Sequence, residues 1–381
     1  MVRRRRILGV LTLMAVLGGS CLVPSGTPKN IWNFETPDPA AEPVPGGFQV
    51  YTTNNFWYKV PTFTTGWPSG NSFAARDALA DRPAWSPPVA GAFIWAPTVR
   101  FLAGRYLMMF TASVGNHSRS ACIGAATSSN VSGPFQPTSF QLCDPNPAVG
   151  YLDPYIFREG GEAWLLWSRQ WNGGSEIVIQ KLTSNGLGVT GTRYRLLTFA
   201  EAVSISPGGL GSNPFVENPA LVKDPYNGYD LLVSLGTWSD PNYRTVELPC
   251  LNKTGNCLPS EGGAISNMMG GNLTGRGGAS LVFDNSPTSN VMVFHAFSGT
   301  QRWSFAMDTA AVDLTSTVSK SAQATEGQIA SDARASAMAR SIPVREAPAI
   351  TATERVKLLD RCPECNGGRR FVPDGPVRSD G

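Results

Sequence analysis

Histidine is almost missing from this chain: His117 and His295 are the only two in 381 residues. That excludes a zinc site built from several histidines, because zinc takes three or four N, S or O ligands gathered at one point. A Ser/His/Asp hydrolase would need one of the two beside an elbow serine, and no Gly-x-Ser-x-Gly stands in a strand–turn–helix setting. No Gly-x-x-x-x-Gly-Lys-Ser/Thr loop is present to cradle a nucleotide's phosphates. Charge is scarce as well, at 15% of residues. Arg3–Arg6 carry the basic excess: without them the formal charge falls from +3 to −1, so no nucleic-acid partner is expected. No apolar run after the N-terminus is long enough to span a membrane.

What the chain has is glycine (40), proline (30) and aromatics (10 Trp, 9 Tyr, 18 Phe), the composition of a β-rich protein with many turns and pleated aromatic surfaces. Such rings also offer flat faces on which sugars stack. The first residues read as an export signal: basic Arg3–Arg6, apolar Ile7–Leu17, then small Gly18, Gly19 and Ser20. We assign residues 1–24 to this signal and expect a secreted, extracellular protein. Cys21 offers an alternative, a lipidated anchor, although the residues before it fit that pattern poorly. Export permits disulfides. Cys122–Cys143 and Cys250–Cys257 are close enough in sequence to staple a loop or hairpin each, and Cys362-Pro-Glu-Cys365 lies in a polar tail. Residues 316–381, rich in Ala, Ser, Thr and Arg, read as a linker-like or disordered tail.

Five segments repeat one shape, a glycine- or asparagine-led turn followed by an aromatic-rich alternating run. They are Gly46–Tyr51, Gly104–Phe110, Gly160–Trp167, Gly228–Ser234 and Asn290–His295. Their spacing of roughly 60 residues is that of four-stranded blades with generous loops. The expectation is an all-β, five-bladed β-propeller over residues 28–315. Some 13–17 residues before each run ends lies a short Pro- or Gly-containing motif: Asp38-Pro39, Trp95-Ala-Pro97, Asp153-Pro154, Glu217-Asn-Pro219 and Gly275-Arg-Gly-Gly-Ala279. The first strand of each blade lines a propeller's central channel, so Asp38, Asp153 and Glu217 should converge there. Asp-Pro is also a common turn opener, and the repeat phase is what lifts these acids above that reading.

Ile94-Trp95-Ala96-Pro97-Thr98-Val99, Cys122-Ile-Gly-Ala-Ala-Thr-Ser128 with Ser132-Gly-Pro-Phe135, and Leu152-Asp153-Pro154 followed by Trp164-Leu-Leu-Trp167 resemble glycoside hydrolase family 43. So do Val216-Glu217-Asn-Pro219 and Gly277-Gly-Ala-Ser280 with Phe294-His295-Ala296-Phe297. The similarity covers about residues 35–310. It implies a five-bladed propeller that cleaves arabinose- or xylose-containing plant polysaccharides with inversion. By the resemblance, Asp38 is the general base, Asp153 orients the acid and tunes its pKa, and Glu217 is the general acid. His295 matches a central histidine that sits near a calcium ion or water cluster. No cofactor is required, and a structural calcium is the one metal the resemblance allows. Trp95, Trp171 and Arg302 are candidates for binding sugar. The partner is a poly- or oligosaccharide, and the chain is read as a monomer. Departures from the family pattern stand at Asn218, at Arg276 and in the Pro-rich segment after Asp38. If they displace Asp38, the chain would be a non-catalytic glycan-binding propeller. Fructan-cleaving five-bladed enzymes fit less well, since Thr36-Pro37-Asp38 and Leu152-Asp153 replace their Asn-Asp-Pro and Arg-Asp-Pro.

Overall fold

The computed structural model describes residues 20–24, 27–67, 75–88, 92–114, 121–223, 228–255, 257, 273–282 and 289–313. His117, Cys362, Cys365 and the expected tail 316–381 lie outside them, as does most of the expected signal segment.

Runs of four antiparallel strands follow one another along the chain. The first sheet is β3 (Ala40–Val44), β4 (Gly47–Tyr51), β5 (Pro61–Gly66) and β6 (Arg76–Asp77). The second is β7 (Ile94–Leu102), β8 (Arg105–Ser113), β9 (Ala121–Ser128) and β10 (Gln136–Leu142). The third is β11 (Gly150–Glu159), β12 (Glu162–Trp171), β13 (Gly174–Leu182) and β14 (Val189–Thr198). A short helix α1 (Phe199–Ile205) follows, started by a capping box in which Thr198 and Glu201 satisfy each other's backbone amides. Then come β15 (Phe215–Lys223), β16 (Tyr229–Gly236), β17 (Arg244–Cys250), β18 (Thr274–Leu281), β19 (Ser289–Ser298) and β20 (Gln301–Asp313).

These last strands form one eight-stranded sheet, where separate fourth and fifth blades were expected. The join is slender: β17 meets β18 through a single parallel bridge, Arg244 to Arg276. The outer edge of this sheet comes from the other end of the chain. Both β1 (Ser20–Pro24) and β2 (Lys29–Trp32) pair with β20. Residues 20–24, assigned above to the signal, therefore form a strand of the folded sheet. No helix among the described residues is long and apolar enough to cross a membrane.

The repeated runs are the second strands, and their composition follows from their place. β8, β12 and β16 are buried almost end to end, because sheet packs on both of their faces, so both faces are apolar. The outermost β14 is largely exposed and correspondingly polar. Disulfides Cys122–Cys143 and Cys250–Cys257 form between the expected partners.

A repeated backbone device stands at the head of the first strands. Asp38, Ala96, Asp153, Asn218 and Gly278 all have φ between 42° and 60°. The strand register slips across the last four, a β-bulge that turns the residue off the ladder. Pro39, Pro97, Pro154 and Pro219 follow, supplying no N–H where the ladder would leave one unpaired. In four of the five units the amide of the turned residue is caught by a side chain on, or just after, the preceding unit's second strand. Thr53 Oγ1 takes Ala96 N–H (2.9 Å), Thr111 Oγ1 takes Asp153 N–H (2.8 Å), and Ser234 Oγ takes Gly278 N–H (2.8 Å). His295 Nδ1 takes Asp38 N–H (3.1 Å), which closes the series from the last unit back to the first. The in-phase residue of the fourth unit is thus Asn218. Glu217, read above as equivalent to Asp38 and Asp153, is one position earlier, level with Trp95, Leu152 and Gly277. A strand's alternation points that neighbour the other way unless a bulge intervenes, and here one does.

Candidate active site

The turned residues surround an open cavity of about 290 Å³, with Asp38, Ala96, Asp153, Asn218 and Gly278 in its wall. Asp38 is fixed on every side. Its Oδ2 accepts from Thr53 Oγ1 (2.7 Å), its Oδ1 accepts from Asn218 Nδ2 (3.2 Å), and its amide is held by His295. Asp153 is buried, and its Oδ2 accepts the Asn218 amide (3.1 Å). Glu217 is 8% exposed. Its two oxygens accept from Tyr243 Oη (2.9 Å) and Gln170 Nε2 (2.8 Å). Asn218 Nδ2 also donates to Tyr243 Oη (3.0 Å). Asn218 is therefore linked to all three carboxylates: its backbone amide bonds Asp153, its side chain bonds Asp38, and the same side chain reaches Glu217 through Tyr243.

Burial dominates the electrostatics. It pushes the Glu217 carboxyl up to about 7, against the two hydrogen bonds that favour its ionised form, and the negative Asp38 adds to the rise. Burial also raises Asp153 well above the carboxylate range, and Glu217 and Asp38 push it further. Two buried carboxyls repelling each other titrate as a unit, so the pair retains a proton near neutral pH. Tyr243 is raised well above 10, again chiefly by burial, and so keeps the proton it gives to Glu217. Such an array sets one carboxyl group on a cavity wall with a buried, proton-retaining carboxyl beside it.

His295 is 1% exposed, and burial lowers it to about 4, so the ring is neutral. Its Nδ1 accepts from Asp38, so Nε2 carries the hydrogen, and Nε2 has no partner among the described residues. An N–H cannot ligate a cation. Direct calcium binding by His295 does not fit this arrangement, whereas donation to a channel water does. No group of three or more His, Cys, Asp or Glu side chains among the described residues is placed to hold a metal ion.

The expected sugar-binding residues are less central. Trp95 is half-buried and stacks on Phe93, with centroids 3.5 Å apart. Trp171 ends β12 and packs against Gly174 across its own hairpin; the preceding residue, Gln170, is the one that reaches Glu217. Arg302 is committed to Glu35, with Nε and Nη2 on Oε1 (2.8 and 2.5 Å) and its amide on Oε2 (2.7 Å). It acts on Glu217 through its charge. Asn218, Gln170 and Tyr243 were missed in the sequence. The proline phase marks Asn218, but nothing local marks Tyr243, which arrives from a loop 26 residues beyond Glu217.

The glycines opposite Asp38 are there for room. A Cβ on Gly278, at φ +60°, would sit 2.7 Å from His295 Nδ1 and 2.8 Å from Asp38 Oδ1. One on Gly277 would overlap the Tyr243 ring at its Cε1. Gly278→Ala should cost about 1–3 kcal/mol for the left-handed backbone and lower any turnover the site supports by roughly tenfold through the displaced Asp38 carboxyl. Urea unfolding beside steady-state kinetics checks this, and an unchanged kcat would mean the clash relaxes away from Asp38.

Residues 28–315 match the family described as Glycosyl hydrolases family 43. The chain belongs to that family. Over 217 residues it is 26% identical to the extracellular endo-alpha-(1->5)-L-arabinanase 1 of Bacillus subtilis (strain 168). That match takes in 53% of this chain and spans 61% of the relative's length. Among solved structures, an endo-arabinase from Bacteroides thetaiotaomicron VPI-5482 superimposes with a TM-score of 0.58 at 17% identity, over 74% of this chain and 97% of the other. An endo-1,4-beta-xylanase from the same organism gives 0.56 at 17% identity, over 74% and 92%. At such identities these likenesses speak to the fold of this family 43 chain alone.

Proposed function

We propose that this family 43 protein is a secreted glycoside hydrolase that cleaves arabinose- or xylose-containing polysaccharides with inversion, on a five-bladed propeller closed by its N-terminal strands. The observation that carries the reading is the pairing of Asp38, on the cavity wall, with the buried, proton-retaining Glu217 and Asp153. Glycosidic cleavage needs one carboxyl to protonate the leaving oxygen and another to take a proton from water. Glu217 suits the first task and Asp38 the second, and the buried Asp153 would orient the acid and tune its pKa. Inverting enzymes hold the two about 6.5–9.5 Å apart, retaining ones about 5–5.5 Å. Here Asn218 and Tyr243 stand between Asp38 and Glu217, joined by hydrogen bonds of 3.2, 3.0 and 2.9 Å, which favours the wider spacing.

The position of Asp38 in the cavity wall favours this reading over a glycan-binding propeller without catalysis. Trp95 and Trp171 would act at the rim, and Arg302 through its field rather than as a donor to sugar. The protein would work as a monomer, outside the cell, without a cofactor. The test is hydrolysis of aryl arabinofuranoside, aryl xyloside, debranched arabinan and xylan, with the anomer of the first product followed by NMR. Initial release of the inverted anomer is expected. The retained anomer would reassign Asp38 as a nucleophile, and no cleavage of any substrate would leave the binding reading.

A further inference from the structure

The loops of the first and fourth units expose aromatic rings on segments tied to the carboxylates. Among the described residues Phe56 is 92% exposed, Trp57 61% and Trp238 52%. Isolated exposed rings need no explanation, but these belong to one strip. Trp57 packs on Phe34 with centroids 5.0 Å apart, and Phe56 meets Trp57 edge-on at 5.6 Å. The next residue after Phe34 is Glu35, which holds Arg302, and the Arg302 guanidinium lies 4.6 Å from the centroid of the Trp238 ring. The strip therefore runs from Phe56 through Trp57, Phe34 and the Glu35–Arg302 pair to Trp238.

Two chain segments carry its first half, and both are anchored at Asp38. Phe34 and Glu35 lead directly into Thr36, Pro37 and Asp38. The segment bearing Phe56 and Trp57 leaves Thr53, whose hydroxyl holds Asp38 Oδ2 and whose amide bonds Pro37 O. The far half lies within the electrostatic reach of Glu217 through Arg302. The strip is thus tied to the site at Asp38 through Thr53 and the Phe34–Pro37 segment, and at Glu217 through the charge of Arg302. Its one ion pair is internally compensated, so it has nothing to offer an anion. Flat rings, a neutral surface and a start at the carboxylates suit a neutral polysaccharide lying along the strip.

We infer that Trp57 and Trp238, with Phe34 and Phe56, form a track that stacks successive sugars of a polysaccharide chain beyond the bond being cut. The inference rests on the glycosidase reading for its ligand, but polysaccharide binding tests it without catalysis. The full chain and its Trp57→Ala, Trp238→Ala, Phe56→Ala and Trp57→Phe variants are run in native gels containing debranched arabinan or arabinoxylan, beside kinetics on the same polymers and on aryl glycosides. Truncating a central aromatic at an interface costs roughly 5–10-fold in affinity or more. The expected result is that loss of Trp57 or Trp238 weakens retardation by that factor and raises KM on polymer, while kcat/KM on aryl glycosides stays within about twofold. Trp57→Phe retains most of the binding. Phe56→Ala, at a nearly fully exposed position, serves where a Trp variant fails to fold. Unchanged polymer binding in the Trp and Phe variants overturns the track. So does an equal loss on polymer and aryl glycoside, or a wild type that no polysaccharide retards. Conversion of a wild-type dimer to monomer by these variants would mean the strip packs on a second copy instead. A wild type that is retarded but hydrolyses nothing would sink the glycosidase reading and leave the track standing.

Discussion

Replacing Glu217 by glutamine should reduce kcat/KM on any glycoside the protein cleaves by 10²-fold or more, the usual worth of a positioned general acid. The side chain keeps its shape; its amide oxygen can still accept from Gln170 Nε2, its NH2 turns an acceptor into a donor toward Tyr243 Oη, and it has no acid proton to give. Aryl glycosides with good leaving groups need that proton less, so the loss should be smaller on them than on arabinan. The pH profile gives a sharper check. Because burial raises Glu217 to about 7, the acid form predominates below that pH and is used up above it. Activity in the native protein should therefore fall about tenfold per pH unit on the alkaline side of about 7. In Glu217→Gln that limb should vanish from whatever activity remains. A limb that survives unchanged would assign the acid to another group. The same shift has a thermodynamic consequence of fixed sign. The unfolded chain loses this proton near 4.5, while the native state holds it to about 7. Stability contributed by Glu217 therefore declines as pH rises between those values.

The second large effect should come from a residue that touches no substrate. Arg100 is fully buried, farther along β7 than Ala96. Its guanidinium donates to Ala41 O (3.0 Å), Val99 O (2.9 Å), Leu281 O (2.9 Å) and Tyr155 Oη (3.3 Å), and it pairs with Glu42 at 3.5 Å. These partners belong to β3, β7, β11 and β18. One side chain thus ties four first strands together below the cavity, whose wall includes Tyr155. Arg100→Met fills much of the volume but leaves Glu42 buried without its cation and strips several carbonyls of a donor. Removing one partner of a buried pair costs about 3–5 kcal/mol. Urea unfolding should show a loss of that order, and Glu42→Gln added to Arg100→Met should restore part of it. A change below about 1 kcal/mol would mean that water replaces the guanidinium and that the strands hold one another without it.

Several parts of this architecture are written locally. The second strands are legible because sheets cover both of their faces, so Leu107–Phe110, Leu165–Trp167 and Leu231–Val233 must be apolar throughout. The turned positions are legible through the prolines that follow them, since Pro39, Pro97, Pro154 and Pro219 mark where the ladder gives up a hydrogen bond. Asp38 and Asp153 stand directly before two of those prolines, which is why their convergence could be read from the repeat. Glu217 was found in the same way but placed one residue out of phase, because its type drew attention from Asn218, the residue that occupies the turn.

Other features have no local mark. Tyr243, Gln170 and Arg100 are ordinary members of ordinary strands and loops until the sheets are brought together. By resemblance His295 matches a central histidine near a calcium ion or water cluster; the fold also uses it, where three other units use Thr53, Thr111 or Ser234, to hold the next unit's amide. The sequence by itself determined the all-β class, the repeat and two of the three carboxylates at their turns, because strand burial and backbone bulges are short-range constraints on residue type. Which groups hold each carboxylate, which of them keeps a proton and what ties the first strands together beneath the cavity became visible once the sheets were assembled. Those properties depend on distances and desolvation between residues that lie tens to hundreds of positions apart in the chain.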